Sequence, residues 1–255
     1  EICKGKMKLV ALFVRPQKGE KIFSPLKSFK KKIFRCKNCS HHYIDGYDYK
    51  KANKIYKNLY DKKAYGKINS KFNEISNFKN KDSSNYFRKI YLLNNFKFKK
   101  NTKLFDYGSG IGIFLFSIKN YCKCYFYEKN IRSKNFCKDK LKLRYVPYNK
   151  IKKFKFNYIT CNKVLEHFNL RDIKKTLNLF KKSINKKGKI YLELPSSNAS
   201  KKGYSRQEFF TEHLNIFSKK SINIFFKSLN FKIEKLNFLR EINGKYTFRV
   251  ILSCL

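Results

Sequence analysis

Beyond residue 82 the chain switches repeatedly between short apolar runs and stretches whose apolar residues recur at helical spacing, the pattern of alternating strands and helices. The spacing predicts a helix over 83–95 and then a short strand, Lys103-Leu104-Phe105-Asp106, ending in a glycine-rich turn. A helix (111–120), a strand (122–128), a helix (131–140) and two strands (143–146 and 156–161) follow. Residues 170–184 read as a helix with Asp172 in its first turn. Gly188 leads into a strand over 189–194, which Pro195 stops. Ser218 is a suitable N-cap for a helix over 219–229. The closing strands, 231–239 and 245–253, have no helix between them and should pair as an antiparallel hairpin. This order predicts an α/β fold, a doubly wound Rossmann-like sheet with an antiparallel end.

The first third of the chain has a different texture. Residues 1–45 contain Cys3, a Lys-rich stretch and the run Cys36-Lys37-Asn38-Cys39-Ser40-His41-His42. Residues 48–60 repeat Tyr and Ile at helix-like spacing, and 61–81 are polar and read as a linker. Three parts are therefore expected: a small module over 1–45, a helix and linker over 46–81, and the main domain over 82–255.

Charge enters next, because the chain carries a formal +44. Such an excess ordinarily points to nucleic acid. Here, however, the cations are 52 Lys against 9 Arg, and Gly numbers only 10 in 255 residues. That is the bias of A/T-rich codons, whereas nucleic-acid sites favour the planar fork of Arg. Coding bias accounts for the charge better than a polyanion partner does, and RNA stays as the alternative. No apolar run is long enough to span a membrane, and no signal peptide is visible. Eight cysteines scattered without a secretory context are expected to stay reduced in the cytoplasm.

Against this background the chemistry-bearing residues stand out. Asp106-Tyr107-Gly108-Ser109-Gly110-Ile111-Gly112 places three of the ten glycines within five residues, at a predicted strand-to-helix turn. A Cβ there would obstruct approach to a ligand. The spacing is not the dinucleotide fingerprint, which needs Gly where Ile113 stands. Asp106 would also repel a pyrophosphate and suits a cationic or hydroxyl-bearing ligand. Glu128 ends the next strand, at the carboxyl edge, where a carboxylate accepts hydrogen bonds from both ribose hydroxyls.

These residues resemble a class I S-adenosylmethionine-dependent methyltransferase over 82–255. Asp106–Gly112 resembles the family's first motif and Glu128 its second-strand acid. Residues 156–168 and 188–195 resemble its fourth- and fifth-strand segments. The resemblance implies a seven-stranded sheet with an antiparallel last strand and S-adenosylmethionine as cofactor. It assigns Asp106, Gly108, Ser109, Gly110, Gly112, Glu128 and Asn162 to cofactor binding. Where the family often places an acid for the adenine amine, this chain has Pro147-Tyr148-Asn149.

Two further segments bear on catalysis. Lys163-Val164-Leu165-Glu166-His167 resembles the E-x-x-E-H metal motif of ubiquinone-type O-methyltransferases, but a Lys at the first ligand position would repel a cation, so catalytic magnesium is not expected. Glu212-His213-Leu214-Asn215-Ile216-Phe217-Ser218 resembles an E-H-L-x-x-F-S segment found in a subgroup that includes sugar C-methyltransferases. In those enzymes the corresponding His and a Tyr three residues earlier transfer protons; here Phe210 replaces the Tyr. His213, His167 and Glu166 are the candidate catalytic residues.

Cys36-x-x-Cys39 is half of a zinc knuckle, and Cys3 supplies a third thiol. A cysteine directly before Glu1 would complete two C-x-x-C pairs; otherwise His41 or His42 is the candidate fourth ligand. This part resembles the zinc-binding module preceding many methyltransferases of sugar and polysaccharide pathways. The expected function is methyl transfer to a small-molecule or saccharide-linked acceptor. The alternatives are an RNA methyltransferase and a non-catalytic methyltransferase fold.

Overall fold

The structure is a computed structural model, which describes residues 2–20, 29–46, 65–76 and 84–255. The helix expected over 48–60 lies outside the described residues. In chain order the elements are β1 (Met7–Phe13), β2 (Lys31–Cys36), β3 (His42–Asp45), α1 (Ile68–Ser76), α2 (Ser84–Asn95), β4 (Lys103–Tyr107), α3 (Ile113–Ile118) and β5 (Lys123–Tyr127). After them come α4 (Ile131–Asn135), β6 (Arg144–Tyr145), β7 (Phe156–Asn162), α5 (Leu170–Ser183), β8 (Ile184–Pro195), β9 (Asn215–Ile216), α6 (Lys219–Ser228), β10 (Phe231–Arg240) and β11 (Tyr246–Cys254).

Seven strands form one sheet in the order β10-β11-β8-β7-β4-β5-β6. β4 pairs in parallel with both β5 and β7, and β5 with β6, while β10 and β11 pair antiparallel. The fold is thus the expected mostly parallel α/β sheet with an antiparallel end. A second sheet of four strands has the order β1-β2-β3-β9, with all three neighbouring pairs antiparallel.

Chain compactness divides the protein into two units, one of residues 54–162 and 179–191, the other of residues 1–53, 163–178 and 192–255. The boundaries expected at 45/46 and 81/82 do not coincide with these units. In the first, parallel strands bury both faces, so β4 and β5 are rich in Leu, Phe, Cys and Tyr rather than alternating. Phe105 stacks on Phe156 with ring centroids 4.6 Å apart, and Leu104, Phe126 and Ile159 are fully buried. The stretch read as a linker contains α1. Its Ile68 and Phe72 sit at i and i+4 on one face, and Phe72 packs its ring against Phe116 and Phe136, each 5.2 Å away. Two apolar residues in a Lys- and Asn-rich stretch suffice because their partners come from elsewhere in the sequence.

In the other unit β3 finds its second neighbour not among residues 1–45 but in β9, through His42↔Ile216 and Tyr43↔Asn215. Ile33, Ile44, Ala199, Phe209 and Ile216 form the core between this sheet and the segment that follows β8. Ser218 caps α6 as expected, exchanging bonds with Ser221 in a capping box, and its hydroxyl also donates to the carbonyl of Cys39.

A buried ion pair ties the same unit together. Lys31 Nζ lies 2.6 Å from Glu20 Oε1, both side chains fully buried, and also donates to Gln17 Oε1 (2.8 Å) and to the Phe209 carbonyl (3.0 Å). Glu20 accepts in addition from the Gln17 N–H and from both the N–H and the hydroxyl of Thr211. Removing one partner of a buried pair leaves an uncompensated charge, at a cost of about 3–5 kcal/mol. Lys31→Met is therefore expected to lower unfolding free energy by that amount in urea titration, and adding Glu20→Gln to recover most of the loss.

Candidate functional site

The glycine turn lies where β4 gives way to α3. Gly108, Gly110 and Gly112 adopt φ of 78°, 55° and 75°, in the left-handed region that other residues avoid. A Cβ at Gly110 would be strained by that φ and would also lie 3.2 Å from the Tyr65 hydroxyl, which would have to shift. The backbone N–H groups of Gly108 and Ser109 donate to the Tyr127 carbonyl, that of Gly110 to Glu128 Oε2 (2.8 Å) and that of Gly112 to the Ser109 carbonyl. With four donors of the turn committed to protein acceptors, it is not built as a phosphate cradle.

Two carboxylates frame this turn. Glu128, one residue past β5, accepts from Gly110 N–H and, through Oε1, from Asn130 N–H (2.8 Å). The acid and the turn, 18 residues apart in sequence, are thus in direct contact. Asp106 is 3% exposed, and its Oδ1 accepts from the Thr160 hydroxyl (2.7 Å) and from Asn162 Nδ2 (3.0 Å). Asn162 Oδ1 is buried without a hydrogen-bond partner, an acceptor held ready for a donor from a ligand. All seven expected cofactor residues therefore lie on the carboxyl ends of β4, β5 and β7 or on the turn after β4. Thr160, which fixes Asp106, was not singled out from the sequence. Nor was Tyr127, the residue before Glu128, whose ring lies 5.6 Å from that of Tyr148.

Glu166, His167 and His213 come together as a second constellation. Each offers an atom within 4.8 Å of the others, and the two imidazole centroids are 4.9 Å apart. Glu166 and His167 sit on the single turn Leu165–His167 that follows β7, and His213 follows the turn Gln207–Phe209. Backbone carbonyls orient both rings: Nδ1 of His167 lies 2.9 Å from the Glu212 carbonyl, and Nδ1 of His213 lies 3.1 Å from that of Glu208. Burial lowers the pKa of His167 to about 4 and carries that of His213 well below its ordinary value, while it raises Glu166 to about 8. Glu212, raised to about 7 by burial, and Lys245, lowered by burial, share these surroundings; Glu212 stood in the sequence only as part of the E-H-L-x-x-F-S segment, and Lys245 had no signal there. Lys163 does not stand as a bare charge: its ammonium lies 2.6 Å from Glu241.

Cys3, Cys36 and Cys39 also meet, with Sγ atoms mutually within 4.8 Å and Cys3 and Cys36 at 3.4 Å. Gly5 lets residues 3–6 lie on this knuckle, since a Cβ would come within 2.6 Å of Cys36 Sγ. Neither His41 nor His42 joins the cluster, which corrects the expectation for a fourth ligand. His41 turns inward to bond Asn215 Oδ1 (3.1 Å) and packs edge-on against Phe217, while His42 packs between Phe209 and Tyr204. Pairing of β3 with β9 commits both rings to the core.

A family profile described as methyltransferase domain matches residues 61–236. The chain belongs to the methyltransferase-domain family. This methyltransferase is similar in fold to the magnesium protoporphyrin IX methyltransferase of Synechocystis with bound S-adenosylhomocysteine, at TM-score 0.56 and 10% identity over 81% of this chain and 100% of the other. It is likewise similar to a glycopeptide N-methyltransferase (TM-score 0.54, 11% identity, 68% of this chain, 97% of the other). A third similar structure is a methyltransferase from Archaeoglobus fulgidus (TM-score 0.51, 16% identity, 69% and 97%). No curated protein sequence matches the chain. Among the described residues no helix is long and apolar enough to cross a membrane.

The buried histidines make a pH prediction. Desolvation lowers His42 to about 4 from an unfolded value near 6.5, so its contribution to stability is complete above about pH 6.5 and is lost as pH falls from there toward 4. His42→Phe is expected to flatten the acid limb of the urea midpoint between pH 7 and 4.5; an unchanged slope would remove His42 as its source.

Proposed function

We propose that this methyltransferase transfers the methyl group of S-adenosylmethionine to a small-molecule or saccharide-linked acceptor. The observation that carries the reading is the contact between Glu128 and the Gly110 N–H. It brings the ribose-type acid against a glycine turn in which the N–H groups of Gly108, Ser109 and Gly112 are already engaged. The donor set suits the cofactor's chemistry. Asp106 and the unpartnered Oδ1 of Asn162 offer acceptors for the methionine ammonium, and Glu128 for the ribose hydroxyls. Tyr148, half exposed, offers a ring face for the adenine in place of the missing acid. The bound cofactor supplies an already activated sulfonium methyl, so the protein's task is alignment and removal of the acceptor's proton.

For that second task the chain offers His213, His167 and Glu166. Both imidazoles are neutral at physiological pH and carry their proton on Nδ1, so a proton from the acceptor would have to go to the other ring nitrogen, whose basicity burial reduces. The saccharide-linked acceptor rests on the resemblance of the segment around His213. Support for an acceptor of modest size also comes from the similar folds, one of which acts on a glycopeptide.

The cysteine cluster is read as a structural zinc site in which Cys3, Cys36 and Cys39 supply three thiolates. Hydrogen bonding from the Cys39 and Asn38 backbone and from Cys3 favours the Cys36 thiolate and holds its pKa below the ordinary value, even though burial opposes this. Metal analysis of protein prepared without chelator should return one equivalent of zinc that Cys36→Ser abolishes.

Calorimetric titration with S-adenosylmethionine tests the donor half. Asp106→Ala and Glu128→Ala are each expected to weaken binding by roughly 10- to 100-fold, the equivalent of losing a charge-assisted hydrogen bond. His213→Ala should leave donor affinity unchanged while turnover collapses. Full turnover in that variant would end its catalytic role, and no donor binding in the wild-type chain would end the enzymatic reading.

A further inference from the structure

We infer that a cavity at the amino ends of β5 and β6 is a binding site for a multiply charged phosphate group of the diphosphate type, remote from the donor site. The cavity has a volume of about 460 Å³ and lies wholly within the unit that carries the parallel strands. That is the size of an ordinary small-molecule pocket. Its rim is made by five exposed cations: Lys100 ahead of β4, Lys119 after α3, Lys123 opening β5, Lys142 between α4 and β6, and Arg144 opening β6.

The charge of this cavity is not the background of the chain. Five of its ten lining residues are Lys or Arg and none is Asp or Glu, whereas cations make up 61 of 255 residues overall. Coding bias raises the average but does not gather cations around one concavity. Elsewhere Lys31, Lys163 and Arg206 each face a carboxylate. Among the described residues, none of the five rim cations forms an ion pair. A cleft lined by one sign of charge concentrates the opposite ion.

The rim is also pre-arranged. The Arg144 guanidinium lies over the Tyr125 ring (5.5 Å) and the Lys119 ammonium over that of Phe116 (4.1 Å). A ring face steadies a cation without using up its N–H donors on an oxygen acceptor. Arg144 is one of nine Arg in a chain of 52 Lys, and its fork can grip two phosphate oxygens at once. Lys142 sits at φ 56°, where Gly or Asn is easier, so the turn carries a cation at a position that favours a neutral residue.

The floor opposes none of this. Cys122 and Cys124 are buried with Sγ atoms 3.8 Å apart, and their shared hydrogen bond together with burial raises the Cys124 pKa, so it stays a neutral thiol. No aromatic ring lines the cavity, so nothing there stacks a base, and what is recognised is the phosphate portion of a ligand. Lys123 opens β5 and Glu128 follows its end, about 17 Å away at roughly 3.3 Å per residue. A phosphate held there is therefore distinct from the methyl donor, and its binding does not rest on the acceptor reading above.

Calorimetric titration of the full chain with inorganic pyrophosphate, at about 0.15 M salt, tests the site. The expected result is one equivalent, bound roughly tenfold or more tighter than orthophosphate or sulfate and unaltered by Glu128→Ala. Arg144→Gln should weaken it roughly tenfold, the loss of a charge-assisted hydrogen bond, and the Lys123→Gln/Lys142→Gln pair at least as much. Lys201→Gln/Lys202→Gln removes the same charge from exposed positions of the other unit and should change nothing. Far-ultraviolet circular dichroism confirms that each variant is folded; the changes are all at exposed residues. Absence of saturable binding in the wild-type chain, equal affinity for sulfate, or equal weakening in the Lys201/Lys202 control overturns the inference. So does a single-stranded oligoribonucleotide that binds through the same residues more tightly than pyrophosphate, which would assign the cavity to a nucleic-acid backbone.

Discussion

Everything in the unit that carries the N-terminal sheet depends on the desolvated carboxylate of Glu20. A buried carboxylate needs compensation by donors on every side, and this one finds it in Lys31 of β2 and in both polar hydrogens of Thr211. The requirement is directional. To satisfy it, the stretch 207–213 must lie against the first two strands, which in turn fixes the carbonyls of Glu208 and Glu212 and hence the rings of His213 and His167. Apolar packing alone would hold the segment near the sheet; the ion pair sets where along it the segment stops.

The other unit is organised by a simpler rule. Parallel strands bury both faces, so ligands meet them only at their carboxyl ends, and the polar residues of β4, β5 and β7 collect there. Asp106 is held by Thr160 and Asn162 from β7 and Glu128 by the turn after β4, so neither acid relies on a long flexible side chain for its position. Such bracing suits an enzyme whose donor is already reactive and whose contribution is alignment.

The mostly parallel sheet, the closing hairpin and the glycine turn with its two neighbouring acids were legible because each leaves a local trace. Gly108, Gly110 and Gly112 contrast with a glycine-poor chain, and the missing helix before β11 is visible as a missing period. α1 was not legible, since Ile68 and Phe72 acquire meaning only from Phe116 and Phe136. The expected zinc role of His41 or His42 failed for a related reason. Proximity in sequence to Cys39 suggested ligation, but pairing of β3 with residues 215–216 turned both rings into the core.

By itself, then, the sequence determined the class of fold, the glycine turn and its two acids. These follow from hydrophobic period and from residues that run against the composition, and both are properties of neighbouring positions. Tertiary structure alone decided that Glu166, His167 and His213 share one small volume, that Lys163 is neutralised by Glu241, and that three cysteines meet without a histidine. Those are contacts between segments tens of residues apart. They are set by which buried charges must be paired, and that is a demand a linear pattern does not display.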